Sequence, residues 1–171
     1  MSTMLEAELL VHLDRQLASA RHLLGLILAQ GKAIRERDVD AVLGRLAEIQ
    51  TEMVRRGTLE QERATLLQRA GATLGILPTD VTVERLCVLV TPGAANAVRD
   101  RSAELRGLLS EIAREHGINR ALMRQELAFL SHLTRLVGQD TEPGYRPTGQ
   151  VAQTGGTGAA PQMHRTLDLQ A

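Results

Sequence analysis

The N-terminal segment does most to fix the class of fold. From Met4 to Arg35, Leu5, Leu9, Leu13, Leu17, Ala20, Leu24, Ile27 and Ile34 recur at spacings of mostly three and four. A helix of 3.6 residues per turn gathers such a repeat into one apolar stripe, whereas a half-buried strand needs alternation. Leu10, Leu23, Leu26 and Leu28 widen the stripe, so this helix needs more than one packing neighbour. Thr3 and Glu6 stand at capping-box spacing at its start.

Asp38 is positioned to cap a second helix over about 39–70, with Val42, Leu46, Ile49, Met53, Leu59, Leu66 and Leu67 on its apolar side. No Gly or Pro separates the two helices. A tight reversal is expected there, because two apolar stripes must bury each other. Gly71, Gly75 and Pro78 end the second helix. Residues 81–90 are β-branched and short, open to strand or helix; a short helix capped by Thr79 or Asp80 is expected. Thr91-Pro92 marks an N-cap with Pro at the first helical position. The third long helix then runs over about 92–137, its seam formed by Val98, Leu105, Leu109, Ile112, Met123, Leu130, Leu133 and Val137 and interrupted by His116, Asn119 and Glu126. The expected fold is all-α: an antiparallel bundle of three long helices with a short helical segment between the second and third. Its buried core is expected to hold Leu13, Leu24, Leu46, Ile49, Met53, Leu105 and Ile112.

From Gln139 the composition changes. Five of the 15 Gly and three of the five Pro fall there, with few large apolar residues. We read 1–138 as one helical domain and 139–171 as a disordered tail.

Several function classes are excluded. Twenty basic residues balance twenty acidic ones, which gives no overall pull toward nucleic acid or an anionic membrane. Phe129 and Tyr145 are the only aromatics, too few for a base-stacking surface. The longest apolar stretch falls well short of a membrane span, and Met1 to Leu10 lacks the basic-then-apolar pattern of a signal peptide, so a cytoplasmic location is expected. Cys87 is the single cysteine and reads as a small packing residue. The five histidines form neither a zinc pattern nor the Glu-x-x-His repeat of di-iron bundles. Carboxylate pairs such as Glu60 with Glu62, or Glu111 with Glu115, read as solvated helix surface. No catalytic residue, metal ligand or cofactor is expected.

What remains is the apolar seam. At 1.5 Å per residue the first two helices are about 50 Å long and the third about 70 Å. If the helices run up, down and up, the end of the third outruns the others. Phe129, Leu130, Leu133, Leu136 and Val137 lie in that overhang. A contiguous exposed apolar patch marks a partner site, and another amphipathic helix is the simplest partner. Equally open are cover by residues 81–90 or by a second copy of the chain. Asn119, inward on either register, can set helix register or can equally cap a local break at Gly117.

The pattern resembles the FlgN family of flagellar chaperones. Leu59-Glu60-Gln61-Glu62-Arg63 with Leu66-Leu67 and Gly71 is similar to the close of that family's second helix. Asn119 followed by Leu122, Leu127, Phe129, Leu133 and Leu136 is similar to the seam of its last helix. Tyr145 with Gly149 is similar to its tail element. Helix order and the Gly/Pro-marked link agree over about residues 5–150. The resemblance implies a chaperone that binds the C-terminal helical segments of the hook–filament junction proteins FlgK and FlgL, keeps them soluble and delivers them to the export gate protein FlhA. With the overhang, it leads us to expect client contacts at Asn119, Leu122, Met123, Phe129, Leu130, Leu133, Leu136 and Val137, and the resemblance implies gate docking through Tyr145, with Arg146 expected as a rim contact. The alternatives are a homo-oligomeric coiled-coil module, including a homodimer of the free protein, and a helical regulatory domain with a non-flagellar partner.

Overall fold

The computed structural model describes the backbone of residues 2–139 and the side chains of residues 4–136. The expectations for the tail, including Tyr145 and Arg146, lie outside the described residues, as does the side chain of Val137. The described residues are all-α, with no strand: α1 (Ser2–Glu36), α2 (Val39–Leu74), a 3-10 turn (Pro78–Asp80), α3 (Val83–Val88) and α4 (Pro92–Gln139).

The reversal between α1 and α2 takes two residues. Arg37 adopts the left-handed conformation at φ 57°. Its N–H donates to Ile34 O at 3.1 Å, and the N–H of Asp38 donates to Ala33 O at 3.0 Å. This is a Schellman closure made without glycine. Asp38 then caps α2, accepting from Ala41 N at 3.0 Å. Gly75, at φ 68°, closes the far end of α2, its own N–H and that of Ile76 both donating to Gly71 O.

Two local expectations are corrected. α1 already includes Ser2, so Thr3 lies within the helix rather than capping it. Glu6 is instead engaged across the fold, accepting from Thr91 N at 2.9 Å and Thr91 Oγ1 at 3.2 Å. Residues 83–88 are helical, and their cap is Thr82, which accepts from Arg85 N at 3.3 Å, not Thr79 or Asp80. Arg99 grips Glu84 with two nitrogens at 2.9–3.2 Å, which ties α3 to α4 and holds the Glu84 carboxyl below its ordinary range.

Cross-helix pairs set the directions. Glu8 pairs with Arg69, Arg15 with Glu62 at 2.7 Å, and Ser19 with Glu52 at 2.5 Å, so α2 runs antiparallel to α1. Glu6 with Thr91, Asp14 with Arg101 at 2.6 Å, and Arg37 with Glu126 at 3.6 Å make α4 parallel to α1. Each exposed pair is worth little energetically, but together they specify register and direction. α1 is the shared centre, and α2 and α4 have no comparable packing on each other.

That arrangement corrects part of the expected core. Ile49 is buried, and Leu13, Leu24, Leu105 and Ile112 are half-buried. Leu46 and Met53 are exposed, because they sit on a flank of α2 beside its contact with α1 and not within it. Two apolar clusters form instead. Leu9, Cys87, Ala95 and Val98 join α1, α3 and α4. Leu23, Leu26, Ile27 and Ile49, with Ile112 against them, join the three long helices.

The α1–α2 contact is more polar than its stripe suggests. Glu52 is only 4% exposed; Ser19 Oγ donates to it, and His22 Nδ1 lies 3.2 Å away. Glu60 and Glu62 face α1 rather than solvent alone: Glu60 accepts from Gln16 at 3.3 Å, and Glu62 lies 3.5 Å from buried His12. Buried polar groups are tolerated where they are paired: Glu52 finds Ser19 and His22 on the other helix, while the His12 ring meets Gln16 of its own helix at 3.3 Å.

Candidate partner-binding groove

The inward face of α4 is a heptad. Ala94, Val98, Leu105, Leu108, Ile112, Asn119 and Leu122 are buried or half-buried along it. The expected seam therefore needs a shift: Leu108 and Leu122 point in, whereas Leu109 and Met123, one residue later, flank the contact and are exposed. Rotation by one residue on a helix turns a side chain by about 100°, enough to move it from contact to flank.

α1 ends beside Glu126, where Arg37 reaches across to that carboxylate. α4 continues to Gln139, about 20 Å farther at its rise per residue. The heptad continues too, and Phe129, Leu133 and Leu136 fall on the same inward face. With no α1 beside them they are exposed, Phe129 at 48%. Leu130 and Leu127, on the adjoining flank, are exposed at 56% and 63%.

These side chains do not stand alone. Met123, Leu127, Phe129 and Leu130 of α4 line one wall of an open groove of about 500 Å³, faced by Val39, Val42 and Leu43 of α2, with Ile34 of α1 behind. Arg37 and Glu126 supply its charges. The lining is mainly apolar, which suits the burial of an apolar partner surface. The two-residue reversal is what brings the start of α2 to this point. Val39 and Leu43 were not among the sequence-predicted site residues; their signal was a spacing of four on a helix whose inward residues, Val42 and Ile49, fall on the neighbouring face.

The sequence-predicted residues thus divide. Met123, Phe129, Leu130, Leu133 and Leu136 are exposed around the groove and overhang, and Leu122 is half-buried against α1. Asn119 does not face the groove opening. It is 2% exposed, and its Nδ2 donates to Ile27 O at 2.8 Å and to Gln30 Oε1 at 3.4 Å. Its observed role is to key α4 onto α1.

No helix among the described residues is long and apolar enough to cross a membrane. No curated protein and no solved structure matches the chain. The family described as FlgN protein matches residues 1–153, nearly the whole length and all the described helices. With that match spanning both walls of the groove and the overhang beyond it, the chain belongs to the FlgN family of flagellar export chaperones.

Proposed function

We propose that this chaperone works in the cytoplasm and receives the C-terminal helical segments of the hook–filament junction proteins FlgK and FlgL in the groove between α2 and α4. The observation that carries the reading is the continuation of the α1-packing heptad past the end of α1. Phe129, Leu133 and Leu136 repeat the pattern by which α4 already holds one helix, and among the described residues they are exposed. A client helix laid there would complete an antiparallel bundle on the three long helices and cover the apolar surface that makes a secreted subunit aggregate. Leu122 and Asn119 support the client wall from behind, through their contact with α1.

Delivery to the export gate is assigned to Tyr145, with Arg146 at the rim. Tyr145 stands between Gly144 and Arg146 with Pro143 and Pro147 close by, and tyrosine brings apolar area at low rotamer cost. Titration of the full chain with FlgK and FlgL C-terminal segments tests the first assignment; no binding of either segment removes it. Titration of client-loaded chain with the cytosolic part of FlhA tests the second. Tyr145→Ala is expected to weaken that step by about 2 kcal/mol or more while client binding is unchanged. Equal affinities would take Tyr145 out of docking.

A further inference from the structure

We propose that the groove selects an amphipathic helix of about 20 residues that carries carboxylates along one edge of its apolar stripe. This rests on the reading of the groove as the client site and specifies the chemistry of what fills it.

The groove extends beyond its open end. Val39, Leu46 and Met53 recur at intervals of seven on α2 and are all exposed. Met123 and Leu130 share one flank of α4, and Leu109 lies on the same flank two heptads before Met123, with exposed His116 between them. The Glu104 side of α4 faces away from α2: Glu104 pairs with Arg21, whereas α1 meets α2 through His12, Gln16 and Ser19. The Leu109–Met123–Leu130 flank is therefore the one turned toward α2. From Leu109 to Leu130 the wall is about 30 Å long, the length of a 20-residue helix.

The two rims differ in charge. Along the α2 rim the residues four past each stripe residue are Leu43, Gln50 and Gly57, none of them charged, and the charge next to Val39 is the carboxylate of Asp40. Along the α4 rim stand Arg106 and Arg120, each three residues before a stripe residue, with Arg124 next to them. All three are exposed, and none has an ion-pair or hydrogen-bond partner among the described residues. Most arginines elsewhere on the long helices are paired, as Arg15, Arg21, Arg69 and Arg101 are. A row of unpaired cations beside an apolar groove favours a partner with carboxylates on that edge and disfavours one with lysines there. It also fixes direction and rotation, because only one edge of the occupant meets the arginines.

Two synthetic 20-residue helices with the same leucine stripe test this, one carrying Glu and the other Lys along one edge. Against the full chain at low salt, the Glu helix is expected to bind at least about tenfold tighter, with the advantage shrinking as salt rises. In the variant carrying Arg106→Gln, Arg120→Gln and Arg124→Gln, the advantage is expected to fall below about twofold. Leu46→Asp, at an exposed position, is expected to abolish binding of both. Equal binding of the two helices, no binding of either, or a preference that survives in the triple variant overturns the proposal. A dimer of the free chain that Leu46→Asp splits gives the groove to a second copy and also overturns it. The two readings fail separately. If the Glu helix binds and neither junction-protein segment does, the client assignment falls alone. If the segments bind wild type and triple variant equally, the carboxylate edge falls alone.

Discussion

A Cβ built on Gly31 would lie 2.5 Å from Oδ1 of Asn119, while the amide of the same Asn119 donates to Ile27 O at 2.8 Å. Ile27 O is the carbonyl that accepts the helical N–H of Gly31, so the asparagine reaches one turn of α1 backbone over a bare glycine. The pair fixes the register of α4 on α1, and with it where the overhang begins.

Gly31→Ala should therefore destabilise, against the ordinary rule. In a helix interior that change normally gains about 1 kcal/mol. Here the methyl group meets the Asn119 oxygen, and the forced shift should cost about 1–3 kcal/mol. Denaturation midpoints in a double-mutant cycle with Asn119→Ala check it. The alanine at 31 should be destabilising beside Asn119 and neutral or stabilising beside Ala. A rise in stability in the otherwise wild-type chain would refute the contact.

Leu133→Asp tests the overhang. The residue is exposed at 39% and lies beyond the end of α1, so the free protein should keep its thermal midpoint. A charge set in the client contact should cost at least about 2 kcal/mol of binding to a FlgK segment. Unfolding of the free variant would place Leu133 in the core and sink the assignment.

Ile112 and Met53 form a paired test of the packing. Ile112 is half-buried against Leu23, Leu26, Ile27 and Ile49, and its truncation to Ala should cost about 1–3 kcal/mol. Met53 is 53% exposed, and Met53→Ala should stay within about 0.5 kcal/mol. Equal losses at the two sites would mean that α2 and α4 close on each other in solution.

His12 gives the fold a pH dependence. Its pKa is lowered from the ordinary 6.5, chiefly because burial strips water from the charged ring, with Glu62 acting in the opposite direction. Between the folded and unfolded values the unfolded chain binds the extra proton, so stability rises with pH there. The contribution is complete above about pH 6.5 and is lost as pH falls through the folded value. Thermal midpoints measured downward from neutral pH should fall, and His12→Gln should flatten that slope. An unchanged slope would assign the dependence to other groups.

Helix identity and the ends of α2 and the start of α4 were legible in the sequence because their causes are local, whereas the caps expected at Thr3 and at Thr79 or Asp80 were not the ones formed. Asp38 caps α2, Gly75 closes it, and Thr91-Pro92 opens α4, each through atoms a few residues away. The apolar repeat of α1 also announced a helix with more than one neighbour, and α2 and α4 both pack on it. The overhang followed from helix lengths alone.

Which flank of each helix turns inward was decided only by the tertiary structure. Leu108 and Leu109, or Leu122 and Met123, are equivalent to a helical repeat; the pairing of Asn119 with Gly31 chooses between them. Glu52 looks like any surface carboxylate until Ser19 and His22 arrive from α1 to satisfy it. The groove exists because Arg37 takes a left-handed turn and brings Val39 and Leu43 opposite Met123 and Leu130. Local patterns decide what a segment becomes because their hydrogen bonds close within one or two turns. Burial and the binding surface depend on side chains that meet across thirty to ninety residues of chain, and no local repeat encodes that meeting.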